Sequence, residues 1–136
     1  MGLAALDVGD ARIGVAVSDD LGLSVRGIGV VRRQGGSHDL VAIARVLAPH
    51  EISRLVIGLP LNMDGTEGRQ AARVRAFGDR LSAHLGVPIE FWDERLTTFE
   101  AEDQLRSRGV KASRRRALVD QVAAEVILRS YLDRRA

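Results

Sequence analysis

The chain has 136 residues, 46% of them hydrophobic and 28% charged, with a formal net charge of +2 and no cysteine. That length suits one domain spanning residues 1–136, able to bury roughly two thirds of the surface its unfolded chain would expose. Disulfides and thiolate metal sites are excluded, so any metal must be held by oxygen or by histidine, which suits a reducing cytoplasm.

The first residues run straight into an apolar strand, without a basic lead or a cleavable apolar core. No apolar run approaches the roughly 20 residues of a membrane span. A cytoplasmic protein with no membrane partner is expected. Of the 20 basic residues, 19 are Arg and one is Lys. Guanidinium forks suit bidentate phosphate recognition, although gene base composition also exchanges Lys for Arg without any binding purpose.

Gly2 to Val8 reads as a buried strand, Ile13 to Ser18 as a second and Val25 to Val31 as a third; the short turns between them imply antiparallel neighbours. Leu40, Ile43, Ala44 and Leu47 recur at helical spacing until Pro49. Leu55 to Gly58 is a fourth strand, followed by a helix from about Glu67 to Leu85 with Thr66 as its N-cap. Val87 to Trp92 is the fifth strand. Two helices follow, Phe99 to Ser107 and Arg114 to Arg134. Crossover helices make the fourth and fifth strands parallel to their sheet neighbours. A mixed five-stranded α/β sheet with helices on both faces results. Asp7, Gly58 and the Asp93-Glu94 pair then share the carboxyl edge, where open α/β sheets place ligands.

Three acidic stations, Asp7, Asp93-Glu94 and Asp120, interrupt apolar stretches. A buried carboxylate without a partner costs several kcal/mol or more, whereas a divalent cation satisfies it. Asp7 alone is equally well explained as a turn former. Asp120 shares a helical stripe with Ala123, Ala124, Ile127 and Tyr131, so it should face the sheet and needs a partner there. A salt bridge to a buried Arg such as Arg12 is the alternative to a metal. Carboxylates around one or two Mg²⁺ or Mn²⁺ ions fit phosphodiester hydrolysis by a two-metal scheme. His38, His50 and His84 are isolated and read as surface residues.

Lys111, Arg114, Arg115 and Arg116 place positive charge at the start of the last helix, with Ser113 as its N-cap. The macrodipole disfavours cations there, which points to an external anion, with a solvated basic loop as the bland alternative. Arg12, Asn62, Thr66, Arg69 and Arg95 are further candidates for phosphate contact, each with an ordinary cap, turn or ion-pair explanation. Asp64 reads better as a turn residue than as a ligand. Thr97 to Glu100 has the form of a capping box.

Four motifs occur together in order: Asp7-Val-Gly9-Asp-Ala-Arg12-Ile-Gly14-Val-Ala16, Gly58-Leu-Pro60-Leu-Asn62-Met-Asp64-Gly65-Thr66, Asp93-Glu94-Arg95-Leu-Thr97-Thr98 and Asp120-Gln-Val-Ala-Ala124. With them the whole chain resembles the YqgF/RuvX family, departing from it at Asp10, where Thr or a similar residue is usual. The resemblance implies an RNase H-like fold with strand order 3-2-1-4-5. It also implies a Holliday-junction resolvase, or a nuclease maturing the 5′ end of pre-16S rRNA, acting on a four-way DNA junction, single-stranded DNA or a ribosomal RNA precursor.

Related resolvases carry an acid on the fourth strand, but here that strand ends in Gly58. Two strand spacings, on the order of 10 Å, then separate the first strand from the fifth, which favours the longer Glu94 over Asp93. Asp7, Glu94 and Asp120 are therefore the expected catalytic residues and metal ligands, with Asp93 as the alternative ligand. Symmetric junction cleavage would favour a homodimer. Two other readings remain open: a nucleic-acid-binding module without catalysis, and an actin-like or sugar-kinase-type phosphate-binding enzyme, whose phosphate loop Asp7 to Val17 resembles.

Overall fold

A computed structural model describes residues 2–95, 109 and 112–135, with backbone alone for 112–118 and 135. The elements are β1 (Gly2–Val8), β2 (Arg12–Ser18), β3 (Val25–Arg32), α1 (Ser37–Leu47), β4 (Ile52–Leu59), α2 (Arg69–Leu85), β5 (Ile89–Asp93) and α3 (Ala112–Arg135). The five strands form one sheet in the order β3-β2-β1-β4-β5. β1, β2 and β3 pair antiparallel, whereas β4 runs parallel to both β1 and β5.

Strand alternation divides the core into two layers. Ala4, Leu6 and Val8 of β1, with Leu55, Ile57 and Leu59 of β4, pack against α1 and α2 through Leu40, Ile43, Val74, Phe77 and Leu81. Ala5 of β1, Ala16 of β2 and Val56 of β4 face α3 through Ala124, Ile127, Leu128 and Tyr131. Both faces of the central strands are covered, which is why they read as unbroken apolar runs rather than alternating ones. Tyr131 is fully buried and meets Trp92 edge-on, ring centroids 5.3 Å apart.

Gly14 sets the seat of α3. A Cβ there would collide with the backbone carbonyl of Asp120, so helix and strand approach backbone to backbone. Small residues at the contact let the helix lie close, and the position of Asp120 follows from it.

Several local expectations are corrected. Thr66 is not an N-cap: α2 begins at Arg69 after Gly68, with no side-chain cap. Thr66 instead closes a turn, its backbone N–H and its hydroxyl both donating to Asp64 Oδ1 at 3.0 and 2.6 Å. Ser113 lies inside the first turn of α3 rather than ahead of it. Ala123 leaves the sheet-facing stripe and clusters with Val122 and Val126 on another side of the helix, while Leu128 takes a place in the stripe. The strand before α2 begins three residues earlier than expected, at Ile52, and β5 starts at Ile89 rather than Val87. The expected helix Phe99 to Ser107 and the Thr97 to Glu100 box lie outside the described residues.

Candidate active site

Asp7 is the last residue of β1 but one, paired with Gly14 of β2, and its odd position turns it to the α3 face. Gly58 lies on the same face of the neighbouring β4, where it has no side chain to offer. Glu94 follows β5 and extends its ladder by a backbone hydrogen bond to the Leu59 carbonyl, 3.3 Å. Its carboxylate reaches back over Gly58: a Cβ on that glycine would meet Glu94 Oε2 and, at 2.6 Å, Ile127 Cδ1. The space left by the fourth strand is thus filled from the fifth.

Burial raises the Asp7 pKa to about 6, opposed by a hydrogen bond with Glu94 and reinforced by the charge of Asp120. Burial, then the Asp7 charge and the hydrogen bond shared with it, push Glu94 up to about 9. Two carboxyls this close cannot both ionise comfortably, so they share one proton, held on the Glu94 side. Glu94 Oε2 is nevertheless buried without a hydrogen-bond donor. An oxygen in that state lacks a positive partner.

Asp120 approaches the same edge from α3, where Arg12 Nε donates to its Oδ2 at 2.8 Å. The ion pair named above as the alternative to a metal is therefore present. Among the described residues, no three His, Cys, Asp or Glu side chains are drawn together closely enough to hold an ion. The Arg12 guanidinium instead occupies Asp120 Oδ2.

Asp93 points away from this group. Arg95 grips it with Nη2 at 2.7 Å from Oδ2 and Nε at 2.9 Å, and this hydrogen bonding holds the Asp93 carboxyl below its usual range despite partial burial. Arg95 also donates to the Met63 carbonyl at 3.3 Å, pinning the loop after β4. Within that loop Asn62 Nδ2 donates to Thr66 Oγ1 at 3.0 Å, and Gly65, at φ 86°, makes the left-handed turn. Asn62, Thr66 and Arg95 are thus bound to one another's segment. Asp64 is an exposed turn acceptor, as expected.

Arg69 is exposed at the start of α2. Arg114, Arg115 and Arg116 lie in the first turns of α3, their side chains beyond the description, and Lys111 is outside the described residues. His38 and His84 are exposed and His50 is half-buried, none of them near the acids in a shared cluster.

Gly58 was read above only as the place of a missing acid; the structure adds that its bare backbone makes the room into which the Glu94 carboxylate reaches.

A parallel-antiparallel sheet in the order 3-2-1-4-5, with acids at the carboxyl edge and a long helix laid across one face, defines the RNase H-like class of α/β proteins. The fold is shared with Thermus thermophilus RuvC in complex with a Holliday junction substrate, at a TM-score of 0.60 and 19% identity, over 100% of this chain and 96% of that one. The chain belongs to the RuvX family, whose model, described as Holliday junction resolvase, matches residues 1–134. A relative from Anaeromyxobacter dehalogenans, named "Putative pre-16S rRNA nuclease", is 53% identical over 131 residues, 96% of each chain. One of the same name from Symbiobacterium thermophilum is 46% identical over 136 residues, covering 100% of this chain and 94% of its own.

Proposed function

We propose that the protein is a metal-dependent endonuclease that hydrolyses phosphodiester bonds in structured nucleic acid, with pre-16S rRNA or a four-way DNA junction as substrate. The observation that carries the reading is the Asp7–Glu94 pair: two acids forced together at a sheet edge, with a buried oxygen that has no donor. Family membership and the names of the relatives support the nuclease; the donor chemistry supports the metal.

The residues present fit a hard divalent cation. Asp7 and Glu94 offer oxygen ligands of the kind that Mg²⁺ and Mn²⁺ prefer. Asp120 would join them by exchanging its Arg12 contact. When bound, such an ion supplies Lewis-acid polarisation of the phosphate and lowers the pKa of water.

The chain's own residues prepare the rest. Asp7 and Glu94 would hold the cation as a pair of carboxylates, their shared proton passing to solvent as it is displaced. Arg12, 42% exposed at its side chain, would be freed when Asp120 turned to the cation and could then offer its guanidinium fork to a phosphate oxygen at the same edge. Gly9, whose N–H donates to the Arg12 carbonyl at 2.9 Å, closes the turn beside Asp7 at a point where a Cβ would press on that carbonyl. Arg114, Arg115, Arg116, Lys111 and Arg69 would add phosphate contacts around the edge.

The test is cleavage of a labelled pre-16S rRNA fragment and of a four-way DNA junction with Mg²⁺, Mn²⁺ or EDTA. Asp7→Asn and Asp120→Asn should each lower the rate by at least about 100-fold while leaving binding in EDTA intact. Metal-independent cleavage, or full activity in both variants, would refute the proposal. Substrate choice between RNA and DNA is read from the same experiment.

A further inference from the structure

A second polar feature lies on the opposite face of the sheet. At the carboxyl end of β1, a cleft of about 290 Å³ opens between the Gly9–Ala11 turn and α2. Its floor includes Val8 and Phe77, and its walls carry Arg33, Arg73 and Arg80. Gln70, Arg73, Phe77 and Arg80 fall at i, i+3, i+7 and i+10 on α2, so they share one side of the helix.

The three guanidiniums differ in state. Arg33 is fixed: Nε lies 3.2 Å from Asp39 Oδ2, Nη1 donates to the Gly9 carbonyl at 3.1 Å, and the group stacks 5.0 Å from the Phe77 ring centroid. Its contact with Gly9 ties the cleft to the turn that follows Asp7. Arg73 and Arg80 are exposed and have no ion-pair or hydrogen-bond partner among the described residues. Arg75, on the same helix, is by contrast saturated by Glu67, at 2.6 and 2.8 Å. Two unpaired cations beside a fixed third, over an apolar floor, match a sugar-phosphate backbone: the phosphates meet the forks and the sugars lie on the floor.

We propose that this cleft binds the backbone of the nucleic-acid strand as it leaves the acidic site, so that the substrate crosses the carboxyl edge of the sheet at the Gly9–Ala11 turn. The inference rests on the nuclease reading for its direction. Asp7 faces α3 and its neighbour Val8 lines the cleft, so adjacent residues of one strand look onto the two sites. A strand passing over the turn reaches both. Asp10 also lines the cleft, and its carboxylate opposes the phosphate. It sets a limit on affinity that the guanidiniums must overcome.

The experiment measures binding apart from cleavage. Full-length Asp120→Asn protein in EDTA is titrated with fluorescein-labelled single-stranded RNA and DNA of one sequence, read by anisotropy at several salt concentrations. Arg73→Glu/Arg80→Glu is expected to weaken binding by about 30-fold or more and to flatten the log–log salt dependence by about 1.4, two phosphate contacts on a single strand. Asp10→Asn should tighten it about threefold. Arg26→Glu/Arg129→Glu makes the same change in net charge at exposed positions away from the cleft, and should cost less than about fivefold. Equal losses in the two double variants, or an unchanged salt slope in Arg73→Glu/Arg80→Glu, would overturn the cleft. Loss of binding in that variant, together with a parent protein that never cleaves, would uphold the cleft and refute the nuclease.

Discussion

Glu94 lies against Gly58 so closely that a Cβ on the glycine would collide with its Oε2. Gly58→Ala should therefore move Glu94 and press on Ile127, at a stability cost of about 1–3 kcal/mol. Cleavage should fall by about 100-fold or more, because Asp7 loses its partner. Gly14→Ala meets the Asp120 backbone instead, which cannot turn aside, so its cost should be the larger of the two. Chemical denaturation and a cleavage assay of both variants check the order; a Gly58→Ala enzyme of normal activity would contradict it.

In EDTA the protein should lose stability as pH rises from 5 to 9. Asp7 and Glu94 have folded-state pKa values, about 6 and about 9, above their ordinary 3.8 and 4.5. The folded form then holds more protons than the unfolded one across this window. Their contribution is complete below about pH 4 and disappears as pH passes through the raised values. A decline of several kcal/mol is expected, since about one pKa unit of Asp7 and about four of Glu94 fall inside the window and each unit corresponds to about 1.4 kcal/mol. Glu94→Gln should flatten it. Among the described residues the other shifted carboxyls, Asp19, Asp39, Asp64, Glu67 and Asp93, are moved down and act on the acid side of this window. Urea midpoints at the two pH values decide; stability rising from pH 5 to 9 would count against the shared proton.

Asp93→Asn and Glu94→Gln should part company. Asp93 is held by Arg95 outside the acidic group, and at 41% side-chain exposure its loss should cost less than about 1 kcal/mol. The 62–66 loop would loosen and activity would fall severalfold at most. Glu94→Gln should remove cleavage almost completely. Comparable activity in the two variants would exclude Glu94 as the preferred ligand.

Arg12→Ala tests the competition for Asp120. Without its 2.8 Å partner the Asp120 carboxylate is left short of a cation, at a cost of about 1 kcal/mol given the exposure of Arg12. Mn²⁺ should restore that stability in Arg12→Ala, and half-maximal stabilisation should need less metal than in the parent. Thermal unfolding across a Mn²⁺ series measures both. A higher metal requirement would instead make Arg12 an aid to assembly of the site.

The sheet was readable from sequence because its strands are short, continuous and separated by unmistakable breakers. Gly9-Asp10-Ala11 forces a tight return, and the crossover through α2 forces β4 and β5 to run parallel. Asp120 was placed by helical periodicity, since Ala124, Ile127 and Tyr131 follow it at spacings that only one helix face satisfies. Helix starts were less legible. Thr66 resembles an N-cap, yet its hydroxyl is claimed by Asp64, and a local side-chain contact of that kind outcompetes the helix. Arg12 illustrates a different limit. Nothing in its neighbourhood distinguishes a phosphate ligand from an ion-pair partner 108 positions away.

The seat of α3 on Gly14 has a consequence in time as well as in space. α3 follows every strand in the sequence, so a chain emerging from the ribosome brings out Asp7, Gly58 and Glu94 well before Asp120. Until the helix docks, backbone against backbone, the third carboxylate is absent and the acidic pair stands alone. The acidic edge is therefore complete only after the last helix has been made and seated.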